Sequence, residues 1–406
     1  MVLAAASAIP RVSFTGLAIV AAVAFAVPLL LGFVPALPIP AAVLEIAAGI
    51  LIGPSVLGWV REDVAIHVVY LMGLAMLLFL AGLEIDFSQL RGHARVTGTG
   101  FVLSLALGLL VSYALKAAGL VANPPLIAIV LASTSLGVVV PALKDADQIS
   151  TEFGQLVMTA ASINELGPII LLSLFFSGAT TNVPAQLLTL AFLVLLGAAI
   201  AFSMTRASQV RALMNVLGRL EETTAQIRIR GTFVLLAVLG ALAIRLGQEG
   251  ILGAFMAGAI LNLTDREGVG PGSTTRLKLE AIGFGVFIPV FFITSGLRFQ
   301  LATLLAGPST LLRVPLFLAA LLVVHGIPAL LYGRRRALAA GLLQATSLSF
   351  IVVAVDLGES LGLMVPATGS ALVAAGLLSA LLFPLGALVS LSRDKATNPP
   401  AKVALP

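Results

Sequence analysis

The chain is a succession of apolar runs, most about 20 residues long, joined by short connections. A helix needs a run of that length to cross the hydrocarbon of a bilayer. In lipid every backbone N–H and C=O must find its partner inside the segment, so such runs are helices. Only 10% of the 406 residues are charged and 59% are hydrophobic, whereas soluble domains are about a quarter charged. These features predict an all-α polytopic membrane protein with no large soluble domain between its spans. Thirteen spans are expected, near residues 14–33, 40–60, 67–86, 96–119, 125–144, 153–177, 184–204, 229–246, 250–264, 280–300, 309–332, 337–357 and 364–391. The apolar stretch after Arg11 runs on to Phe33, longer than a signal-peptide core, and reads as a first span. There is no cysteine, which excludes disulfides and thiolate metal sites.

An odd number of spans puts the termini on opposite faces. With the C-terminus inside, about 17 of the 23 Lys and Arg fall on the cytoplasmic side. The outer side then holds Arg11, Arg61, Lys116, Arg245, Arg298 and Arg313. This bias predicts a multi-pass protein of the cell inner membrane or plasma membrane, N-terminus outside and C-terminus cytoplasmic. The net charge of +5 is spread between apolar runs, so it reads as basic cytoplasmic loops and not as a nucleic-acid surface.

The two halves echo each other. Ala132-Ser133-Thr134-Ser135 in span 5 matches Ala345-Thr346-Ser347 in span 12. Gly82-Leu83 in span 3 matches Gly296-Leu297 in span 10, and Ala48-Gly49 in span 2 matches Ala257-Gly258 in span 9. The three matches occur in order about 210 residues apart, an offset of about seven spans, so the second copy is inverted, as in secondary transporters. The expected organisation is a membrane transporter domain over 1–392 and a short cytoplasmic tail over 393–406. Within it lie repeat one (about 40–177), a linker helix (about 184–204), an amphipathic cytoplasmic connector (205–228) and repeat two (about 250–391).

The chemistry concentrates in Gln155–Phe176, where Asn164 and Glu165 interrupt an apolar run. A charged group at a helix centre costs roughly 2.5–3.5 kcal/mol even on lenient insertion scales, so it marks a cavity, a partner or an ion. Spans 5 and 12 carry Ser133, Thr134, Ser135 and Gly137, and Gln344, Thr346, Ser347 and Ser349. Such runs weaken a helix. If both spans unwind there, helix ends and freed carbonyls meet near the midplane, within reach of an ion. Close packing of small residues is the structural alternative. Glu45 reads as a second buried acid or the partner of an Arg. Glu84 and Asp86 read as interfacial groups, Arg245 and Glu249 as an i,i+4 pair, Arg298 as an end-of-span anchor, and Asp356 is ambiguous. His67, His93 and His325 are scattered, which disfavours a His-rich metal site. No P-loop, nucleophile elbow or HExxH motif occurs, so an ATP-driven pump or hydrolase has no support and an enzyme is not expected.

The stretches LEIAAGILIGPSVLG, GLAMLLFLAGLEID, ASTSLGVVVPALKD, INELGPII, GILGAFMAGAIL and GFGVFIPVFFITSGLRF together resemble the bacterial monovalent cation:proton antiporter family. More narrowly, the chain looks like the second cation:proton antiporter family, with the sodium/proton exchanger fold. The resemblance runs from about Pro40 to Leu391. It implies two crossed discontinuous helices (spans 5 and 12), a dimerisation domain and hence a homodimer, and elevator-like alternating access. It places Glu165 where the family carries its ion-binding aspartate and Thr294 where some members carry Lys. Many relatives append a cytoplasmic regulatory domain, and none is expected here.

The resulting expectation is a secondary active transporter that exchanges Na+ or K+ for protons through competition at Glu165. Asn164, Ser133, Thr134 and Thr346 complete the ion- and proton-binding set. The partners are the lipid bilayer and the monovalent cation, with no nucleic acid and no cofactor beyond the transported ions. Hard oxygen ligands suit an alkali cation. The alternatives are a gated potassium efflux channel of the same fold, a transport-inactive membrane sensor, and a sodium-coupled carrier of organic solutes.

Overall fold

The structure, a computed structural model, describes residues 14–33, 39–85, 87–176, 183–207, 220, 223–264, 269–270, 273–333 and 336–397. Most of the expected connector and tail lies outside the described residues, as does Asp86. Among the described residues there is no strand. The helices are α1 (Phe14–Phe33), α2 (Ala41–Ile52), α3 (Val64–Glu84), α4 (Phe87–Ala117), α5 (Pro124–Leu131), α6 (Leu136–Asp145), α7 (Glu152–Phe176) and α8 (Val183–Ala207). They continue with α9 (Ile227–Arg245), α10 (Gly250–Thr264), α11 (Thr274–Arg298, with a π turn at Gly283–Phe287), α12 (Pro308–Gly326), α13 (Ala337–Gln344), α14 (Ser349–Ser360) and α15 (Pro366–Thr397). Eleven segments are long and apolar enough to cross a membrane, counting α5 with α6 and α13 with α14 as one each. The two shorter apolar helices, α2 and α10, fall on the expected second and ninth spans.

The chain divides into two compact units. The first runs up to Leu77 and returns from Leu277 to Leu301. Here α2 lies directly on α11. A Cβ at Gly49 would strike the carbonyl oxygen of Ile293, and one at Gly296 would strike that of Ile46. Only glycine lets two backbones approach so closely, the contact on which helix pairs in lipid depend. Around it pack Val20 of α1, Ile52, Ile66, Val290, Ile293 and Leu297.

Arg298 ends α11 with more than an anchoring role. Its guanidinium bonds both carboxylate oxygens of Glu62, Nε to Oε2 at 2.6 Å and Nη2 to Oε1 at 2.6 Å. It also lies over the Tyr70 ring, 4.1 Å from the centroid. His67 Nδ1 is 2.7 Å from Glu62 Oε1. Burial alone would push the Glu62 carboxyl up. The hydrogen bonds and charges of Arg298 and His67 outweigh it and hold the group below its ordinary 4.5. A depressed carboxyl contributes stability that is full above the unfolded value and is lost as pH falls through the folded one. The expected result is that Glu62→Gln lowers the melting temperature in detergent at pH 7. The difference from the unsubstituted protein should close as the pH is taken well below 4.5. A difference independent of pH would show that the ion pair is not its source.

The second unit runs from Leu78 to Arg276 and from Ala302 onward. In it the last turns of α3 lie on α10 through the same device. A Cβ at Gly82 would strike the Phe255 carbonyl oxygen, and one at Gly258 that of Phe79. Thus Gly49 and Gly258, matched in the two halves, each pack on the helix that carries the other matched glycine, Gly296 or Gly82. The same close glycine contact thus occurs once in each unit. Elsewhere in this unit α6, α7 and α13 share a core of Leu136, Val139, Leu143, Phe153, Val157, Ala161, Ala340 and Leu343. The expected pair of Arg245 and Glu249 does not form. α9 stops at Arg245 and the chain turns at Gly247 with φ 72°, so the two residues never share a helical face.

Candidate functional site

The site is built on α7, and its first cause is a proline. Pro168 lacks an N–H, so the carbonyl four residues back, that of Asn164, has no helical donor. The structure gives that carbonyl another: Thr134 N donates to Asn164 O at 3.2 Å. Thr134 can do this because span 5 is broken. Asn123 caps α5 by accepting from Leu126 N (3.1 Å), and Pro124 follows at the first helical position. The helix lasts only to Leu131. Ser133 Oγ donates back to Val130 O (2.7 Å), Ser135 is extended at φ −95° and ψ 102°, and α6 begins at Leu136.

Span 12 breaks in the same way, between Gln344 and Ser349. The two interruptions bond to each other. Ser135 N donates to Thr346 O (2.8 Å), and Ser133 Oγ and Ser347 Oγ share a hydrogen at 2.6 Å. Ser135 Oγ accepts from Leu348 N (2.9 Å) and Ser349 N (3.2 Å), capping the orphan amides at the start of α14. Thr134 Oγ1 donates to Gln344 O, and Thr346 Oγ1 to Leu342 O at 3.1 Å. The polar run seen in each span is therefore the hydrogen-bonding complement of the other.

Asn164 joins both breaks to α7. Its Nδ2 donates to Gln344 Oε1 (2.8 Å) and approaches Thr134 Oγ1 (3.4 Å). Its Oδ1 is buried and has no hydrogen-bond partner. Such an acceptor costs about 1–3 kcal/mol unless something satisfies it. Glu165 follows on the next position of α7, half-buried. The Leu136 N–H, at the positive end of α6, reaches its carboxylate. Gly137, next along α6, is exposed, and Pro141 leaves its carbonyl without a helical donor. The two interruptions and α7 thus share one network of hydroxyl and amide groups, with the Glu165 carboxylate at the start of α6. Hard oxygen groups of this kind are the sort that suit a monovalent cation or a proton.

Comparison with known proteins identifies the family and the fold. Residues 21–388 match the model of the sodium/hydrogen exchanger transmembrane family. The chain belongs to the sodium/hydrogen exchanger family. Among its relatives, the Bacillus subtilis protein YjbQ is 31% identical over 393 residues, covering 92% of this chain and 62% of YjbQ. The chain thus spans about six tenths of that relative's length. A Na+/H+ antiporter of Enterococcus hirae is 31% identical over 277 residues, 64% of this chain and 67% of that protein. The structure of MjNhaP1, a sodium proton antiporter of Methanocaldococcus jannaschii, superposes with a TM-score of 0.64 at 16% identity, covering 94% of this chain and 96% of that one. The fold is therefore that of the exchanger family.

Of the residues expected at the exchanger site, the structure brings together Asn164, Glu165, Ser133, Thr134 and Thr346. Thr294 belongs to the first unit, on α11, where it is fully buried with its hydroxyl unpartnered. Glu45 is buried on α2, also in the first unit. Two further residues join this network, Gln344, noted in the sequence only within the polar run of span 12, and His325, noted only as one of three scattered histidines. Gln344 spans the whole network, since its Nε2 also donates to Val157 O at 2.8 Å. His325 of α12 is buried with Nε2 3.0 Å from Leu131 O, and so satisfies a carbonyl at the end of α5. No spacing signal links His325 to residue 131. A signal did exist for Asn164, because Pro168 lies four residues on.

His325→Leu should leave the Leu131 carbonyl without its donor, at a cost of about 1–3 kcal/mol. The expected result is a lower melting temperature in detergent, largely restored by His325→Gln, which keeps a donor. An unchanged melting temperature in the leucine variant would show that the α5 terminus does not need this bond.

Proposed function

We propose that the protein exchanges a monovalent cation, Na+ or K+, for protons across the membrane, with both ions competing for Glu165. The observation that carries the reading is the buried, unpartnered Oδ1 of Asn164, whose Nδ2 bonds to both helix interruptions and which precedes Glu165 on α7. A low-dielectric surrounding disfavours the bare carboxylate, and either a proton or a cation neutralises it. If the loaded unit moves across the bilayer only when neutral, one ion enters as the other leaves. Asn164 supplies a neutral oxygen ligand, while Ser133, Thr134 and Thr346 hold the interruptions open at a fixed spacing. The cation is cargo, and the mechanism needs no resident cofactor and no covalent chemistry, so the chain acts as a transporter.

With one acid and no lysine at position 294, one proton is exchanged per cation and no net charge moves. The membrane potential, worth about 2.3 kcal/mol per charge per 100 mV, would then not drive the cycle. The excess of Lys and Arg on one side supports a cytoplasmic C-terminus in an inner or plasma membrane. A homodimer rests on the family resemblance alone. The test is proton flux in proteoliposomes with the voltage clamped. Adding Na+ or K+ should release a preset proton gradient with saturable kinetics, and choline should not. Flux that does not saturate and ignores pH would overturn the reading.

A further inference from the structure

In the first unit, residues 53–60 join α2 to α3 and carry the chain's one tryptophan, Trp59. α2 has 12 residues. At 1.5 Å per residue that is about 18 Å of helix, against about 30 Å of hydrocarbon, so the helix alone does not cross. The loop after it contains no ionisable side chain, and Arg61, Glu62 and Asp63 follow at once. Non-helical backbone survives beside lipid only where its polar groups are satisfied. This loop satisfies most of its own. Gly53 O accepts from Val56 N (3.2 Å) and Gly58 N (2.8 Å), and Leu51 O from Leu57 N (3.0 Å). Ile52 O accepts from Trp59 N (3.0 Å) and Val60 N (3.1 Å). Gly58 closes the turn at φ 65°, a conformation that glycine adopts without strain.

The ends of three spans fix the level of this loop. Ser55 Oγ donates to Phe299 O at 2.7 Å, just past the last residue of α11. A Cβ at Gly16, in the first turn of α1, would stand 3.7 Å from the Val60 side chain and 3.2 Å from that of Ile66, in the first turn of α3. Arg298 at the end of α11 bonds Glu62, two residues beyond the loop. Span ends and first charges thus lie together, and the edge of the hydrocarbon falls between Trp59 and Arg61. Val60 is buried, whereas Trp59 is 65% exposed, and Val56 and Leu57 are exposed with it. At the adjoining helix ends Phe14, Leu51 and Val64 are also exposed and apolar. The patch therefore continues the lipid-facing surface of the spans.

We infer that residues 53–60 form a lipid-interface anchor, with the Trp59 ring seated at the headgroup boundary and Val56 and Leu57 against the acyl chains. The partner is the bilayer surface itself. Tryptophan suits that place, because its ring is apolar while its N–H needs an acceptor, and it is enriched where membrane meets water. Held by its own hydrogen bonds and by Phe299, the loop fixes the depth at which the first unit sits in the bilayer.

The single tryptophan makes the test direct, because tryptophan emission from the unsubstituted protein reports residue 59 alone. The protein is reconstituted in phosphatidylcholine vesicles whose acyl chains carry bromine near the headgroup, midway along, or near the chain end. A parallel sample meets aqueous iodide. Emission should lie at shorter wavelength than that of tryptophan in water. Bromine near the headgroup should quench it most and bromine near the chain end least, and this order should hold as the protein is diluted into excess lipid. Strong quenching by iodide with none by brominated lipid would place the loop in water and overturn the inference. Protection from both quenchers would place the ring against protein, a second copy if dilution relieves it, and would overturn the inference equally. Quenching greatest at the chain end would put the ring in the hydrocarbon core and overturn its placement at the boundary. Each outcome bears on the loop alone and leaves the exchange reading standing.

Discussion

Glu165→Gln should abolish cation-coupled proton flux while leaving the protein folded. The substitution keeps shape and hydrogen-bonding capacity and removes only the charge. Glu165 is half-buried, and its carboxylate meets the N-terminal end of α6 through Leu136 N–H. A glutamine oxygen can still accept there, so the packing of α7 against α6 should survive. What is lost is the competition, since a neutral amide neither takes up a proton at physiological pH nor balances a cation. Charge-assisted contacts are about twice as strong as neutral ones. Losing one that is desolvated, about 2–4 kcal/mol, corresponds to roughly a 30-fold to 1,000-fold fall in rate. Glu165→Asp should keep part of the flux, because it restores the charge one methylene closer to the helix. The check is dye-monitored proton flux at several cation concentrations, beside a melting curve for each variant. A glutamine variant with full flux would remove Glu165 from the mechanism.

Gly258→Val should be the most damaging single change away from the ion site. The new Cβ would strike the Phe79 carbonyl oxygen and stand 2.8 Å from Leu83 N, both main-chain atoms with no rotamer to escape into. Helices α3 and α10 must then separate along their contact. Overpacking of cores costs typically about 1–3 kcal/mol, and a clash with backbone lies at or above the upper end of that range. Gly49→Val, its counterpart in the first unit, should behave alike, because its Cβ meets the Ile293 carbonyl. Gly240→Ala is the control. Nothing lies within 4 Å of a Cβ there, and alanine favours a helix by up to about 1 kcal/mol. The expected pattern on size-exclusion chromatography in detergent is a collapsed monodisperse peak for the two valine variants and an unchanged peak for Gly240→Ala. Normal yield and melting temperature for Gly258→Val would mean that the close α3–α10 approach is not needed.

Much of the architecture follows from local rules. Apolar runs must be helices in lipid, so spans and helical class are readable from composition and length. The breaks in spans 5 and 12 were also visible, because Ser, Thr and Gly compete with their own backbone. The matched glycines at 49, 82, 258 and 296 could be found by comparing the halves, although what each touches could not. Arg298 was assigned to the span end but not to Glu62, which lies 236 residues away. In the sequence His325 is an isolated histidine and Gln344 is one polar residue among several.

The sequence by itself determined which segments enter the membrane, where two of them break, and which acid they carry there. Those outcomes depend on interactions within a few residues of one another and on the absence of water in lipid. Tertiary structure alone decided that the two breaks satisfy each other, that the carbonyl freed by Pro168 goes to Thr134, and that Asn164 keeps one oxygen unpartnered. A hydrogen bond between residues 30 to 214 positions apart depends on how whole helices dock. No short-range preference encodes that docking.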